Sequence, residues 1–264
     1  MTMIDRSTAP LGSPDAARTD IALRNHAALS LAHRWFAFLE SSAGNVEEHL
    51  GIFMNDVRLT GRGGQVRFAQ GHGELAQWFR AVPDEISSHR ILHSTWTEGP
   101  GGNGTLNFVV AYQAPAADGG VGGSVMSYET AVSFEDERPR FVALDKTPIL
   151  ANTRNEYAPT WAEHRVHGFV HAVLGKQLTH HKAAEAFSDI SAAGSVIEVW
   201  APVPERSTAY DAYVTIGTPD GSFHAAGWRF HDDGDAAFPV PEQIGPLRPL
   251  KVRDNHRLGT VRVR

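Results

Sequence analysis

Apolar residues recur along this chain with two periods, and the changes of period lay out its elements. At 100° per residue, Ala28, Leu31, Ala32, Trp35, Phe38 and Leu39 share one arc, while His26, His33 and Glu40 fall on the other side. This predicts a helix with one core face and one solvated face, starting near Asp20 as N-cap. Gly44 and Asn45 break it, and Val46–Gly51 predicts a short second helix. Phe53–Thr60 alternates as a strand, Gly61-Arg62-Gly63-Gly64 turns, and Val66–Ala69 returns. Gly71–Val82 predicts a third helix with Leu75, Trp78, Phe79 and Val82 on one face, stopped by Pro83. Strand patterns follow at Ile86–Thr97, Thr105–Gln113, Ser124–Phe134 and Arg140–Ile149. The loops between them are too short for helical crossovers, so an antiparallel meander is expected.

The second half repeats part of this order. Asn152–Pro159 reads as a linker, and Trp161–Leu174 as a helix closed by Gly175. A further helix is expected near Lys182–Ile190, with strands at Val196–Ala201, Ala209–Gly217, Ser222–Phe230 and Ala236–Phe238. HGELAQWFRAVPDEISSHRILHSTWTE aligns with HHKAAEAFSDISAAGSVIEVWAPVP, TLNFVVAYQAP with TAYDAYVTIGTP, and SVMSYETAVSFED with SFHAAGWRFHDDG. The downstream copy lacks the second helix and the first strand pair. The expected division is a tail at 1–20, an intact domain at 21–150, a shortened copy at 151–247 and a basic arm at 248–264.

Three stretches, LAHRWFAFLESSAGNVEEHLGIFMNDVRL, GHGELAQWF and SSHRILHSTWT, give the first half a resemblance to the nuclear transport factor 2-like (NTF2-like) superfamily, SnoaL-like polyketide-cyclase branch. The resemblance implies an α+β, cystatin-like cone: helices packed on a strongly curved antiparallel sheet around a ligand pocket, present once intact and once truncated. It implies two functional readings, a cofactor-independent cyclase- or isomerase-type acid–base enzyme, or a non-catalytic binding or assembly module. It also implies that the two cones pack on each other within one chain, as a monomer or a homodimer. The ketosteroid-isomerase positions of the superfamily are filled here by Trp35, about Gly61 and about Thr130, none of which can do that chemistry. The SnoaL-like Asp and His positions fall nearest to Asp145 and His93.

Composition narrows the rest. Lys and Arg total 24 against 30 Asp and Glu, so the net charge of −6 lacks the basic footprint of a nucleic-acid binder. With no cysteine, disulfides, thiolate nucleophiles and Cys-based metal sites are excluded. No apolar run approaches the roughly 20 residues of a membrane span, and the first twenty residues lack a secretion signal's apolar core. A cytoplasmic location is the expectation.

The candidate chemistry is then a small set. His93 is the expected base, Asp145 the acid or orienting group, and Tyr128 a hydrogen-bond donor. His89 and His93, four apart on one strand, are expected to share a face. Trp35, Phe53, Trp78, His89 and Phe108 are expected to line a pocket for a small apolar or aromatic ligand. No cofactor is expected. His164, His167 and His171 lie within about 60° on one helix, opposite its apolar face. They read as a solvated or contact face, and as the residues that would ligate a metal if one were held.

Overall fold

The computed structural model describes residues 14–249 except 41–43, 82–86, 116–118, 136–137, 152–159, 191–192, 204–206 and 234–235. The linker at Asn152–Pro159, the stop at Pro83, the tail before residue 14 and the arm from residue 250 lie outside the described residues.

The first unit contains α1 (Pro14–Leu39), α2 (Val46–Leu50), β1 (Phe53–Gly61), β2 (Val66–Gln70), α3 (Gly71–Ala81), β3 (Ser88–Glu98), β4 (Gly104–Pro115), β5 (Val121–Ser133) and β6 (Arg140–Ala151). Helix α1 starts at Pro14, earlier than Asp20. Proline suits a first helical turn, where its missing N–H is not needed, and Ala16, Ala17 and Arg18 propagate the helix well. Asn45 caps α2, its side chain accepting from the Glu47 amide at 2.9 Å. Strands β3 to β6 form the expected antiparallel meander. β1 joins β6 in parallel, giving the order β2-β1-β6-β5-β4-β3. Bulges in β1, β3 and the β5–β6 ladder bend this sheet around the helices.

The bulge between Ile91 and His93 has a direct consequence. His89 pairs with Tyr112 and Ile91 with Val110, but His93 pairs with Val109. One extra residue turns the strand over, so His89 points to the core face and His93 to the outer face.

The second unit contains α4 (Trp161–Leu174), α5 (His181–Ala186), β7 (Val196–Trp200), β8 (Ala209–Gly217), β9 (Phe223–His231), β10 (Val240–Ile244) and β11 (Arg248–Pro249). Its sheet runs β10-β9-β8-β7, with β11 also on β9. Residues 236–238 are not a strand; Phe238 packs against the core and lies 5.0 Å under the Arg34 guanidinium. Each unit has its own core. Trp35, Phe36, Phe53, Phe108 and Phe141 centre the first, and Phe169, Trp228 and Phe230 the second. The fold is therefore α+β, one six-stranded unit and one shorter unit.

The units meet along α1 and α4. Ser30 Oγ donates to the Gly168 carbonyl at 2.8 Å, with His26 facing His171 and His33 facing His164 on either side. The paired numbers rise on α1 as they fall on α4, so the helices run antiparallel. The approach is close: a Cβ on Gly175 would sit 2.7 Å from the Ala27 nitrogen. The expected solvated face of α1, with His26, His33 and Glu40, is thus buried, because α4 covers it. Among the described residues, no helix is long and apolar enough to cross a membrane.

Candidate functional site

The last turn of α1 brings a carboxylate into the protein interior. Glu40 is buried at the junction of the two units, and three donors converge on it. The His89 backbone N–H donates to Oε1 at 2.6 Å, His89 Nδ1 at 3.2 Å and Thr160 Oγ1 at 2.8 Å. Thr160 precedes α4, and its hydroxyl serves Glu40 rather than its own helix end. Burial alone would push the Glu40 carboxyl up. The imidazoles of His164 and then His89, through attraction and hydrogen bonds, outweigh it and hold the group down at about 2. Glu40 is therefore a fixed anion.

His89 gains an orientation from this anion. With Nδ1–H on Glu40, Nε2 is the ring nitrogen left for the cavity that His89 lines. The ring stacks on Phe36, with centroids 4.8 Å apart. Burial lowers the His89 pKa from its ordinary 6.5, and the Glu40 hydrogen bond only partly opposes that. A neutral imidazole with a bare Nε2 is the form of a general base.

The cavity itself, about 250 Å³, is lined by Leu39, Trp78, His89, Tyr112, Tyr128 and Lys146 among others. Tyr128 and Lys146 face each other across the β5–β6 ladder, so their side chains lie side by side on the inner face. Burial raises the Tyr128 pKa, so its hydroxyl stays a donor. Burial lowers that of Lys146, whose Nζ lies 5.0 Å over Trp78 and 4.9 Å over Phe68. The arrangement places a base, a cation and a hydroxyl donor on one apolar-walled space. The charged and neutral polar groups are few and converge, as in small-molecule sites generally.

The sequence-expected residues are distributed differently from expectation. Trp78, His89 and Tyr128 line the cavity, but Trp35, Phe53 and Phe108 are buried in the core beneath it. His93 is exposed on the outer face. Asp145 is also on the outer face, opposite Glu129, and its strand is separated from β3 by β4 and β5. Three strand spacings put the two about 14 Å apart, too far for a proton-transfer pair. Asp145 instead fastens the Gly61–Gly64 turn, accepting from Thr60 Oγ1 at 2.7 Å and from the amides of Gly63 and Gly64 at 3.0 and 2.7 Å. Both glycines have φ near +60 to +80°, at 64° and 80°, which aims their N–H groups at one carboxylate. Despite some burial, these bonds lower the Asp145 pKa, so it is a structural anion. Glu40 and Lys146 were missed. A lysine inside an apolar strand, and a glutamate ending an apolar helix, were the available signals.

His164 cannot ligate a metal without breaking its bonds. Its Nε2 donates to the His89 carbonyl at 2.5 Å and its Nδ1 meets His33 Nδ1 at 2.8 Å. His167 and His171 lie on the same α1–α4 seam, at the floor of a second, inter-unit cleft.

No family model and no curated protein match the chain. Among solved structures, it is similar to an NTF2-like protein with a cystatin-like fold from Novosphingobium aromaticivorans, at 17% identity over 53% of this chain and 92% of that one, with a TM-score of 0.44. It is similar to Aln2 from a Streptomyces species, at 13% identity over 53% of this chain and 94% of that one, TM-score 0.38. It is also similar to Delta 5-3-ketosteroid isomerase from Mycobacterium sp., at 10% identity over 46% of this chain and 91% of that one, TM-score 0.36. Each likeness spans about half of this chain and is one of fold, which hosts many activities.

Proposed function

We propose that the first cone binds a small apolar or aromatic carbonyl compound and moves a proton on it without a cofactor, as an isomerase- or cyclase-type acid–base enzyme. The observation that carries this reading is the buried Glu40–His89 pair, whose His89 lines a cavity that also holds Lys146 and Tyr128. His89 Nε2 takes a proton from the carbon next to the carbonyl. The C–H electron pair moves into an enolate, whose oxygen is met by the Lys146 ammonium and the Tyr128 hydroxyl. Glu40 steadies the imidazolium formed on His89, as a buried carboxylate does for a catalytic histidine. In an isomerisation the imidazolium, after exchange with solvent, returns a proton at a second carbon. In a ring closure the enolate carbon attacks an internal carbonyl, and the proton goes to the new alkoxide.

The apolar walls of Leu39 and Trp78 and the volume of about 250 Å³ suit a compound of one or two rings. The test is solvent-deuterium exchange into a panel of cyclic enones and aryl ketones, followed by proton NMR. The wild type is expected to exchange at least one panel member faster than buffer. His89→Gln is expected to slow it roughly 10²-fold or more, while His93→Ala and Asp145→Asn leave it unchanged. Binding of the panel without exchange in the wild type would reduce the first cone to a binding module. Equal rates in His89→Gln would remove His89 as the base.

A further inference from the structure

The α1–α4 seam concentrates imidazoles that the cavity chemistry does not use. His33 on α1 and His167 and His171 on α4 each present a ring nitrogen within 4.8 Å of the other two. The His33 and His167 rings stack at 4.3 Å between centroids, and His33 and His171 at 5.5 Å. Such a stack of polar rings is poor core material, because each buried nitrogen needs a partner. Two of the three are held from behind. His33 Nδ1 lies 2.8 Å from His164 Nδ1, and His171 Nδ1 lies 2.8 Å from His26 Nδ1. The third is not: His167 Nδ1 is buried with no hydrogen-bond partner.

The hydrogen bonds also set which atoms are free. His164 Nε2 must donate to the His89 carbonyl, which can only accept. With that hydrogen on Nε2, His164 Nδ1 is placed to accept from His33 Nδ1–H, and His33 Nε2 keeps its lone pair. His26 occupies the corresponding place behind His171. This is the outer-shell pattern of metal-bound histidine, one ring nitrogen on the ion and the other held by a neighbour.

The cluster is also reachable. It floors a cleft of about 410 Å³ between the edge strands β3 and β7, rimmed by Arg90, Glu163 and Glu198. An ion there would have three imidazoles below it and an open side toward the cleft.

We propose that His33, His167 and His171 form a binding site for one late first-row divalent cation, Zn²⁺ being the probe of choice, with a coordination position open to the inter-unit cleft. Three neutral nitrogens with a fourth position open is a donor set that zinc uses. Nitrogens around a tetrahedral zinc lie about 3.3 Å apart for Zn–N of about 2.0–2.1 Å. Loading therefore draws the rings together by about 1.5 Å, within reach of side-chain rotation.

The test uses the full chain, stripped with a chelator and titrated with zinc chloride by calorimetry. The expected result is one equivalent bound with a Kd below about 1 µM. X-ray absorption should show three imidazole nitrogens at about 2.0–2.1 Å. His167→Gln, on the half-buried ring, should weaken binding at least about 10²-fold. His93→Ala in the same cleft, and the double variant His180→Ala/His181→Ala at the start of α5, should bind as the wild type does. If His167→Gln fails to fold, His33→Asn takes its place with the same expectation. No stoichiometric binding by the wild type, or binding lost with His180 and His181 instead, overturns the proposal.

Discussion

Replacing Glu40 with Gln tests the buried junction on which both units depend. The substitution keeps volume and removes only the charge and one acceptor. In the wild type the carboxyl is held from its ordinary 4.5 to about 2, which corresponds to about 3 kcal/mol of preference for the anion. The structure gives a second route to the magnitude. Three donors converge on this carboxylate, from the His89 amide, His89 Nδ1 and Thr160 Oγ1. A Gln side chain offers one oxygen and turns an NH₂ toward donors. One or two buried donors are then left without an acceptor, at about 1–3 kcal/mol each. The second route spans about 1–6 kcal/mol, and the two overlap at a loss of about 3 kcal/mol. For a chain of this size that lowers Tm by roughly 6–12 °C. Urea unfolding at pH 7 measures the loss, with Glu47→Gln as control, since the Glu47 side chain is 72% exposed. The sign with pH follows from the depressed carboxyl. Its contribution is full above the unfolded pKa of about 4.5 and disappears as pH falls toward 2. Wild type and Glu40→Gln should therefore converge in acid. A Glu40→Gln protein within 0.5 kcal/mol of Glu47→Gln at pH 7 would refute the reasoning that Glu40 is a buried anion joining the units.

Three further outcomes are expected. His49 is buried with its ring 4.0 Å from Phe38 and its Nε2 unpartnered, and burial, with Arg34 nearby, lowers its pKa well below 6.5. The unfolded chain therefore binds this proton first, so stability falls as pH drops below about 6.5. His49→Phe should spare about 2 kcal/mol of the loss between pH 6.5 and 5, read by urea unfolding at each pH. Gly175→Ala should cost about 1–3 kcal/mol by calorimetry, because its Cβ meets the Ala27 and Leu23 backbones at 2.7 and 3.0 Å rather than movable side chains. Lys146→Met should keep ligand binding in the first cone but lower exchange of panel ketones roughly 10²-fold or more, because the enolate loses its cation; an unchanged rate would take Lys146 out of the site.

Much of the fold was legible because the local signals agree. The α3 and α4 helices carry clean apolar faces, and Gly and Pro mark the strand ends, so Trp161–Leu174 and Ala209–Gly217 coincide with the observed elements. The site was legible only in part. A single bulge at Leu92 reverses His93, and no residue there announces it. The parallel pairing of β1 with β6 is a long-range choice that leaves no local trace. The burial of His26, His33 and Glu40 depends on α4, more than a hundred residues away in sequence. One signal did exist. These three residues recur every seven positions on α1, and His164 and His171 repeat that spacing on α4. Two polar stripes of equal period suit one antiparallel helix pair better than two solvated faces. Asp145 was a sound candidate by residue type, but strand parity placed it outside the cone.

Burial keeps His89 neutral, while Glu40 holds its remaining proton on Nδ1 and leaves Nε2 bare toward the cavity. Nitrogen NMR of protein carrying ¹⁵N-labelled histidine reads this directly, with His89→Gln assigning the signals. At pH 7, one His89 nitrogen should be protonated and the other bare. Glu40→Gln should disturb that ring, and in the wild type the neutral form should persist below pH 6.5. A His89 doubly protonated at pH 7, or one whose bare nitrogen is Nδ1, would contradict it.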